Sequence, residues 1–345
     1  FNSQALVMTI WSFAKAGISH PRFFEKVADH IISLEDLNSF APRNLSNITW
    51  AFANTEETHT GLFLKIAKHV VALDNLNQFD PRELCNIVWV FAKTEESSPK
   101  LFKKVASHVV ALDDLKIFNP QALTNTLWAF AKTEESHPKL FEKTASHIVA
   151  LDDLNSFTPQ HLFNMVWSFA IAEESNPRLF KKVADHIVSL ENLNSFISQN
   201  LANTVWAFAK AKESDSRLFK KVARHIIALD DLTSFNPHAL ANIIWAYSTA
   251  KERQPRLFQK VANHILALDS LISFNAITCS QILRGFAAAN TIHNPLFERV
   301  KARADEHVNL DEKSKKMLLR AYEAIEMAPK RRGVVNLEKI RFEKR

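Results

Sequence analysis

FNPQALTNTLWAFAKTEESHPKLF, residues 118–141, is the stretch that decides the fold, because versions of it recur through most of the chain. All seven tryptophans fall in one register with a step of 39 residues: Trp11, Trp50, Trp89, Trp128, Trp167, Trp206 and Trp245. A phenylalanine opens every unit with the same step: Phe1, Phe40, Phe79, Phe118, Phe157, Phe196, Phe235 and Phe274. A fixed period of this length is typical of solenoid repeats. The sequence therefore predicts a helical repeat array over residues 1–303.

Each unit predicts a pair of helices, as the quoted stretch illustrates. Asn119 can cap the first helix, helix A, and Pro120 suits its first position. Leu123 and Leu127 lie one turn apart on its apolar side. Pro138 begins the second helix, helix B. A pair with apolar residues on more than one face must stack on its neighbours. The predicted class is therefore all-α, an α-α superhelical solenoid of about eight 39-residue helix-pair repeats, with the Trp and Phe columns in its core.

The register fails after residue 303, and two further segments follow. Residues 304–328 contain one more amphipathic pattern, which predicts a capping helix. Residues 329–345 form a basic tail with seven Lys and Arg against two Asp and Glu. The rest of the chain has a net charge of only +1, because the whole chain has +6. The high pI of about 9.2 is therefore mostly a property of the tail.

Several classes of function lack their sequence signals. Four glycines leave little room for phosphate-binding loops, and no apolar run reaches the roughly 18 residues of a membrane span. No zinc-protease, Walker or nucleophile-elbow motif occurs. Histidines recur at position 30 of the unit, but neighbouring repeats would hold them roughly 10 Å apart, too far to share a metal ion. We therefore predict no catalytic residues, no metal site and no cofactor.

The units at 79–102 and 118–141 resemble the octotricopeptide repeat of organellar RNA-binding proteins, through the pattern F-x-P-x-x-L-x-N-x-x-W-A-F-A. The chain is also similar to the repeat region of FAST-kinase-like and RAP-domain proteins of mitochondria. The resemblance implies binding of single-stranded RNA in a chloroplast or mitochondrion, with a role in transcript stability, processing or translation. It also implies other organellar RNA-processing or ribosomal proteins as partners. Residues after 303 do not resemble a nuclease-like RAP domain, so no enzyme activity is expected.

Polar columns on helix A are the candidates for RNA contact. Counting from the opening Phe, positions 4, 8, 12 and 15 are expected to share one face, with position 5 beside them. Modular base readout requires a constant scaffold with a few changing polar side chains. Positions 4, 5 and 8 meet this description, which predicts these base-facing residues: Gln4, Arg43, Asn44, Asn47, Arg82, Glu83, Asn86, Gln121, Asn125, Gln160, His161, Asn164, Gln199, Asn200, Asn203, His238 and Asn242. Position 15 predicts the phosphate contacts Lys15, Lys93, Lys132 and Lys210.

Each column also has a structural interpretation. Asn at position 8 could lock neighbouring repeats together instead of contacting a ligand. Position 26 of helix B is basic in all eight units and could either follow phosphates or pair with the Glu-Glu turns. The His column fits a place at the edge of the core.

The alternative function is a protein-binding scaffold of HEAT or armadillo type, which would hold an extended peptide. The near-neutral charge of the array favours this alternative. The changing polar residues at positions 4 and 5 favour RNA.

Overall fold

The structure, a computed structural model, describes residues 3–55, 57–135, 137–307, 310–327 and 335–336. Phe1 lies outside the described residues, as does the predicted basic tail apart from the backbone of its residues 335–336. The described part is mostly helical, with almost no strand, which confirms the all-α prediction. The helices A are α1 (Ser3–Lys15), α3 (Pro42–Asn54), α5 (Pro81–Lys93), α7 (Pro120–Lys132), α9 (Pro159–Ile171), α11 (Ser198–Lys210), α13 (Pro237–Thr249) and α15 (Ala276–Ala288).

The helices B alternate with them along the chain. They are α2 (Pro21–Ser33), α4 (Thr60–Ala72), α6 (Pro99–Ala111), α8 (Pro138–Ala150), α10 (Pro177–Ser189), α12 (Ser216–Ala228), α14 (Pro255–Ala267) and α16 (Asn294–Asp305). A final helix, α17 (Glu312–Met327), lies in the segment assigned to a capping helix. The short strands β1 (Thr291–Ile292) and β2 (Val335–Asn336) pair in parallel.

Helix A begins as the sequence predicts. The side chain of Asn119 accepts a hydrogen bond from the backbone N–H of Ala122 at 2.8 Å, and Pro120 occupies the first turn. Asn236 and Asn275 cap their helices in the same way, each at 2.8 Å. Since the first N–H groups of a helix have no partner within it, these caps fix the start of helix A in these three units.

Helix A ends in a left-handed residue at position 17, which the sequence did not predict. Gly17 has a φ of 67°, and non-glycine residues adopt similar values at Glu95, Glu134, Glu173, Lys212, Lys251 and Asn290. The backbone N–H of Glu96 then reaches back to the carbonyl of Phe91 at 3.0 Å, as in a Schellman cap. The turn therefore imposes a left-handed backbone at this position even on residues other than glycine.

The chain divides into two compact units, Phe1–Leu179 and Phe180–Arg345. In the first unit the helices A from α1 to α9 form one layer, and the helices B from α2 to α8 form another, each helix packing on the next of its layer. In the second unit the same two layers run from α11 to α15 and from α12 to α16. Helix α17 packs on α15, in the place that a further helix A would occupy.

Pairs of buried aromatic rings join the two layers. Position 24 of helix B meets position 13 of the next helix A edge to face, as in Phe102 against Phe130 with centroids 5.0 Å apart. Five equivalent pairs have centroids 5.0–5.1 Å apart: Phe24–Phe52, Phe141–Phe169, Phe180–Phe208, Phe219–Tyr247 and Phe258–Phe286. In the sixth, Phe63–Phe91, the rings are tilted and their centroids lie 5.7 Å apart. These rings are almost completely buried. They carry the core that the apolar stripes predicted.

The basic column at position 26 caps the helix B of the preceding repeat. Lys143 Nζ donates to the carbonyl oxygens of Val110, at 2.9 Å, and Leu112. The same contact to the end of the preceding helix B is made by the other members of this group, the capping cations Lys65, Lys104, Lys221, Lys260 and Arg299. The last carbonyls of a helix lack partners and carry partial negative charge. These six cations therefore stabilise the stack, and their charged groups are already engaged by backbone carbonyls.

Replacing a capping cation should destabilise the first unit. Lys143→Met keeps the aliphatic stem but removes the charged donor, so we expect a loss of about 1.5–3 kcal/mol in the free energy of unfolding. Urea denaturation followed by circular dichroism measures it. Lys103→Met, at an exposed position of helix B, is the matched control and should change stability by less than about 0.5 kcal/mol. Equal stability of the two variants would contradict the capping role.

The His column makes stability depend on pH. Burial lowers the pKa of five of its members below the ordinary 6.5: His69, His108, His147, His225 and His264. The unfolded chain therefore binds protons at these rings more readily than the folded chain does. The contribution of these neutral histidines to the free energy of unfolding is fully present above pH 6.5. It declines as the pH falls from 6.5 through the lowered pKa values.

We expect the Tm to fall between about pH 7.5 and pH 5.5, measured by thermal denaturation at constant ionic strength. His108→Gln should reduce the decline, because burial is the cause of the lowered pKa of His108. A Tm that rises or stays constant as the solution is acidified over this range would contradict the prediction.

Candidate nucleic-acid interface

The exposed side of helix A consists of positions 4, 8, 11 and 15, which we call the A face. These positions lie within one side of a helix with 3.6 residues per turn. Position 12, which the sequence placed on this side, is buried from Ala51 in the second repeat to Gly285 in the eighth. Its place is taken by position 11, the Trp column. The prediction for position 12 was wrong because a helix packed on both neighbours of its layer leaves only a narrow stripe exposed.

The A face concentrates positive charge. Its 32 positions in the eight units hold no Asp or Glu, and seven are Lys or Arg: Lys15, Arg43, Arg82, Lys93, Lys132, Lys210 and Arg284. Residues 1–329 nevertheless have a net charge of only +1. The remaining positions of the array must then be net negative. The near-neutral total thus conceals a cationic, acid-free stripe, and it no longer favours the peptide-binding alternative.

Position 4 is the most accessible of the predicted base-facing columns. Its side chains are exposed in all eight units: Gln4, Arg43, Arg82, Gln121, Gln160, Gln199, His238 and Ile277. Arg82 forms an exposed ion pair with Asp80 at 3.3 Å, which is easily exchanged for a ligand. Amide, guanidinium and imidazole groups in this place can form hydrogen bonds with base edges.

The residues at position 8 differ in burial: some are buried between neighbouring helices A, and others are partly exposed. The amide of Asn242 is buried and donates to Oδ1 of Asn203 in the preceding repeat at 3.2 Å. Asn86 reaches Ser46 Oγ at 3.4 Å, and Asn164 is buried. Asn47, Asn125, Asn203 and Asn86 stay half-buried and face the surface. The column therefore holds neighbouring helices A together and presents part of its polar edge.

Position 5 is occupied mainly with capping its own helix. Oε2 of Glu83 accepts from the N–H of Asp80 at 2.8 Å, and burial raises the Glu83 pKa. Nδ1 of His161 accepts from Thr158 at 3.3 Å, and burial lowers its pKa. Asn200 is 6% exposed and accepts from the N–H of Ile197.

The variation at position 5, which suggested base readout, also arises because several different side chains can complete a capping box. Asn44, which is half-buried, is the remaining polar candidate at position 5.

The lysines at position 15 border the A face at the end of helix A. Lys93 Nζ lies 5.1 Å from the centre of the Trp89 ring and 3.1 Å from Oδ1 of Asn54. Lys132 pairs with Glu95 at 3.3 Å, in an exposed ion pair of little energy. Lys15 is exposed and Lys210 half-buried. Three of these cations lie on the A face of the first compact unit, and Lys210 lies on that of the second.

The Trp column lies on the surface side of the core. All seven indole rings are half-buried, whereas the Phe rings at position 13 are completely buried from Phe52 onward. Ring centroids lie 6.4 Å apart in Trp11–Trp50, Trp89–Trp128 and Trp128–Trp167, and 5.8 Å apart in Trp206–Trp245. The sequence predicts core packing for this column, and the rings do pack on one another between repeats. They stay half-buried because position 11 shares the side of helix A with positions 4 and 8.

The stripe changes character at the last repeat. Arg284 replaces Trp at position 11, and Ile277 replaces the polar residue at position 4. On α17, which packs on α15, Arg320 and Glu323 share a shallow cavity with Arg284. Within the described residues there is no group of three or more metal-binding side chains and no helix long and apolar enough to cross a membrane.

A family model described as RESC6, RNA-editing substrate-binding complex 6 protein, matches residues 1–186 and again residues 157–328. Both matches begin at a Phe that opens a repeat, so they follow the 39-residue register. Together they extend over nearly the whole chain. No curated protein matches the chain.

Proposed function

The chain belongs to the family of the RNA-editing substrate-binding complex 6 protein, and from this membership we propose that its A face binds single-stranded RNA with some selectivity for sequence. The observation that carries the proposal is the segregation of charge. In each compact unit the A face forms a stripe without acids, with five cations in the first unit and two in the second, that also presents amides and aromatic rings. Such a stripe attracts phosphates and offers partners for unpaired bases.

Each column has a role in this proposal. Side chains at position 4, with the exposed edges of position 8 and Asn44, contact bases, while Lys15, Lys93, Lys132 and Lys210 contact phosphates. The resemblance to octotricopeptide repeats supports a modular reading with about one base per repeat. We propose no catalytic role, so the chain acts by binding in transcript editing, stability, processing or translation.

The proposed setting is an organelle. The family description names an RNA-editing complex, which supports the mitochondrion and gives no support to the chloroplast. Other proteins of organellar RNA processing, including those of an editing complex, are the further partners that we propose. Ribosomal proteins stay part of this proposal through the repeat resemblance alone.

RNA selection with the purified chain, followed by filter binding, tests the proposal. The basic tail could bind RNA unspecifically, so the seven Lys and Arg of residues 330–345 are changed to Gln in the variant used. We expect this variant to prefer an unpaired RNA over its duplex, since pairing hides the base edges. Gln121→Arg should then alter the selected base at one position. An affinity weaker than about 10 µM at 0.1 M salt, in the range of unspecific binding, would instead favour the peptide-binding scaffold.

A further inference from the structure

The half-exposed state of the Trp column needs an explanation beyond packing. The core between the layers is already filled by the aromatic pairs at positions 13 and 24, whose rings are almost completely buried. Position 11 leaves part of a large indole ring in solvent in all seven units that carry it. An aliphatic residue would cover the same part of the core. The retained ring therefore indicates a use for its exposed surface.

The surroundings of the rings indicate the kind of ligand. In four of the seven Trp units a lysine at position 15 lies one turn after the Trp. Lys93 Nζ stands 5.1 Å from the centre of the Trp89 ring. Amides and arginines at positions 4 and 8 lie on the other side, and acids are absent from the stripe. Aromatic rings interleaved with cations are typical of surfaces that bind single-stranded nucleic acid.

We propose that the Trp column is a stacking platform, on which the bases of a bound single strand lie while the position 15 lysines contact its phosphates. This inference rests on the proposed function and adds the Trp column, for which the sequence predicts core packing. Stacking tolerates any base, because every base has a flat face. The platform supplies affinity for unpaired bases in general, and position 4 supplies the selectivity.

The ring spacing defines the form of the bound strand. In the four pairs Trp11–Trp50, Trp89–Trp128, Trp128–Trp167 and Trp206–Trp245 the rings lie 5.8–6.4 Å apart, whereas stacked nucleotides in a helix rise by about 3.4 Å. Successive bases can therefore meet successive rings only when the strand is extended and its own base stacking is broken. Binding should then abolish the stacked-base circular dichroism of an adenosine oligonucleotide, a signal that phosphate contact alone would leave in place.

The decisive experiment uses the full chain with Trp128→Leu and with Trp89→Leu and Trp128→Leu combined. Leucine keeps the buried half of the site apolar. Each lost ring should weaken binding of an eight-nucleotide RNA roughly 5- to 150-fold. An abasic oligonucleotide of the same length keeps the phosphates and has no bases. The abasic oligonucleotide should bind more weakly than the intact RNA, and its affinity should be the same for the Trp variants and for the parent chain.

Phe130→Leu is the matched control, because it alters the core on the same helix without touching the A face. It should lower the Tm and leave RNA affinity of the folded protein unchanged. The proposal is overturned if the Trp variants stay folded and bind intact RNA as the parent does, or if they lose intact and abasic strands equally. Absence of any RNA affinity in the parent chain would instead refute the proposed function, which keeps the two failures distinct.

Discussion

Changing Lys93, Lys132 and Lys210 together to Gln is expected to weaken RNA binding about 100-fold at 0.1 M salt. Each phosphate contact to a single strand contributes about 0.7 to the slope of log affinity against log salt, through release of counterions. Three lost contacts should lower the slope by about 2. Because the logarithm of 0.1 M is −1, the affinity at this salt concentration should fall by about two powers of ten. Filter binding from about 0.05 to 0.5 M salt measures both quantities, and all RNA sequences should be affected alike.

The control for this variant has the same change of charge on the other layer. Lys68, Lys103 and Lys220 are exposed on helices B, and their replacement by Gln should lower the slope far less. If the two triple variants weaken binding equally, net charge and not the A face governs affinity. The proposed interface would then be wrong even though the chain binds RNA.

Phe130→Ala should lower the free energy of unfolding by about 3–5 kcal/mol. The ring is 2% exposed and packs edge to face on Phe102, so the substitution leaves a cavity between the two layers. Urea denaturation measures the change, with helix content and Trp fluorescence followed together. In a repeat array the two signals need not coincide, since stability is approximately a sum of local terms.

The comparison for Phe130→Ala is Trp128→Ala. Its ring is only half-buried, so the loss should be smaller than the 3–5 kcal/mol expected for a buried aromatic ring. An equal or larger loss at Trp128 would mean that the column belongs to the core, as its sequence register first indicated.

The repeat and its helices were predictable because their signals are local. A step of 39 residues, Asn119 before Pro120 and apolar residues one turn apart specify the pair of helices without reference to the rest of the chain. The two layers, one of helices A and one of helices B, were also predictable, because a helix pair with several apolar faces must stack on its neighbours. The candidate interface was only partly predictable, since the direction of a side chain depends on which neighbours cover the helix.

Three columns illustrate that dependence. Position 5 changes from Glu83 to His161 to Asn200, a variation typical of readout, yet all three side chains cap their own helix. The capping cations resembled a phosphate stripe, and only the arrangement of helices B brings Lys143 to the carbonyls of the preceding repeat. Trp128 resembled core, and its exposure follows from packing on both sides of α7. The sequence alone does not show how much of a side chain the neighbouring helices cover.

The capping cations also set an order of events on the ribosome. The ends of six helices B receive their donor from a residue 31 positions further along the chain, as Leu112 does from Lys143. At a synthesis rate of about 5–20 residues per second, that donor arrives about 2–6 s after the helix has been made. The nascent chain therefore always carries one unfinished repeat at its growing end, with open carbonyls and an uncovered apolar face. Maturation advances from the N-terminus one repeat at a time, and a pause in translation leaves the newest repeat exposed to chaperones.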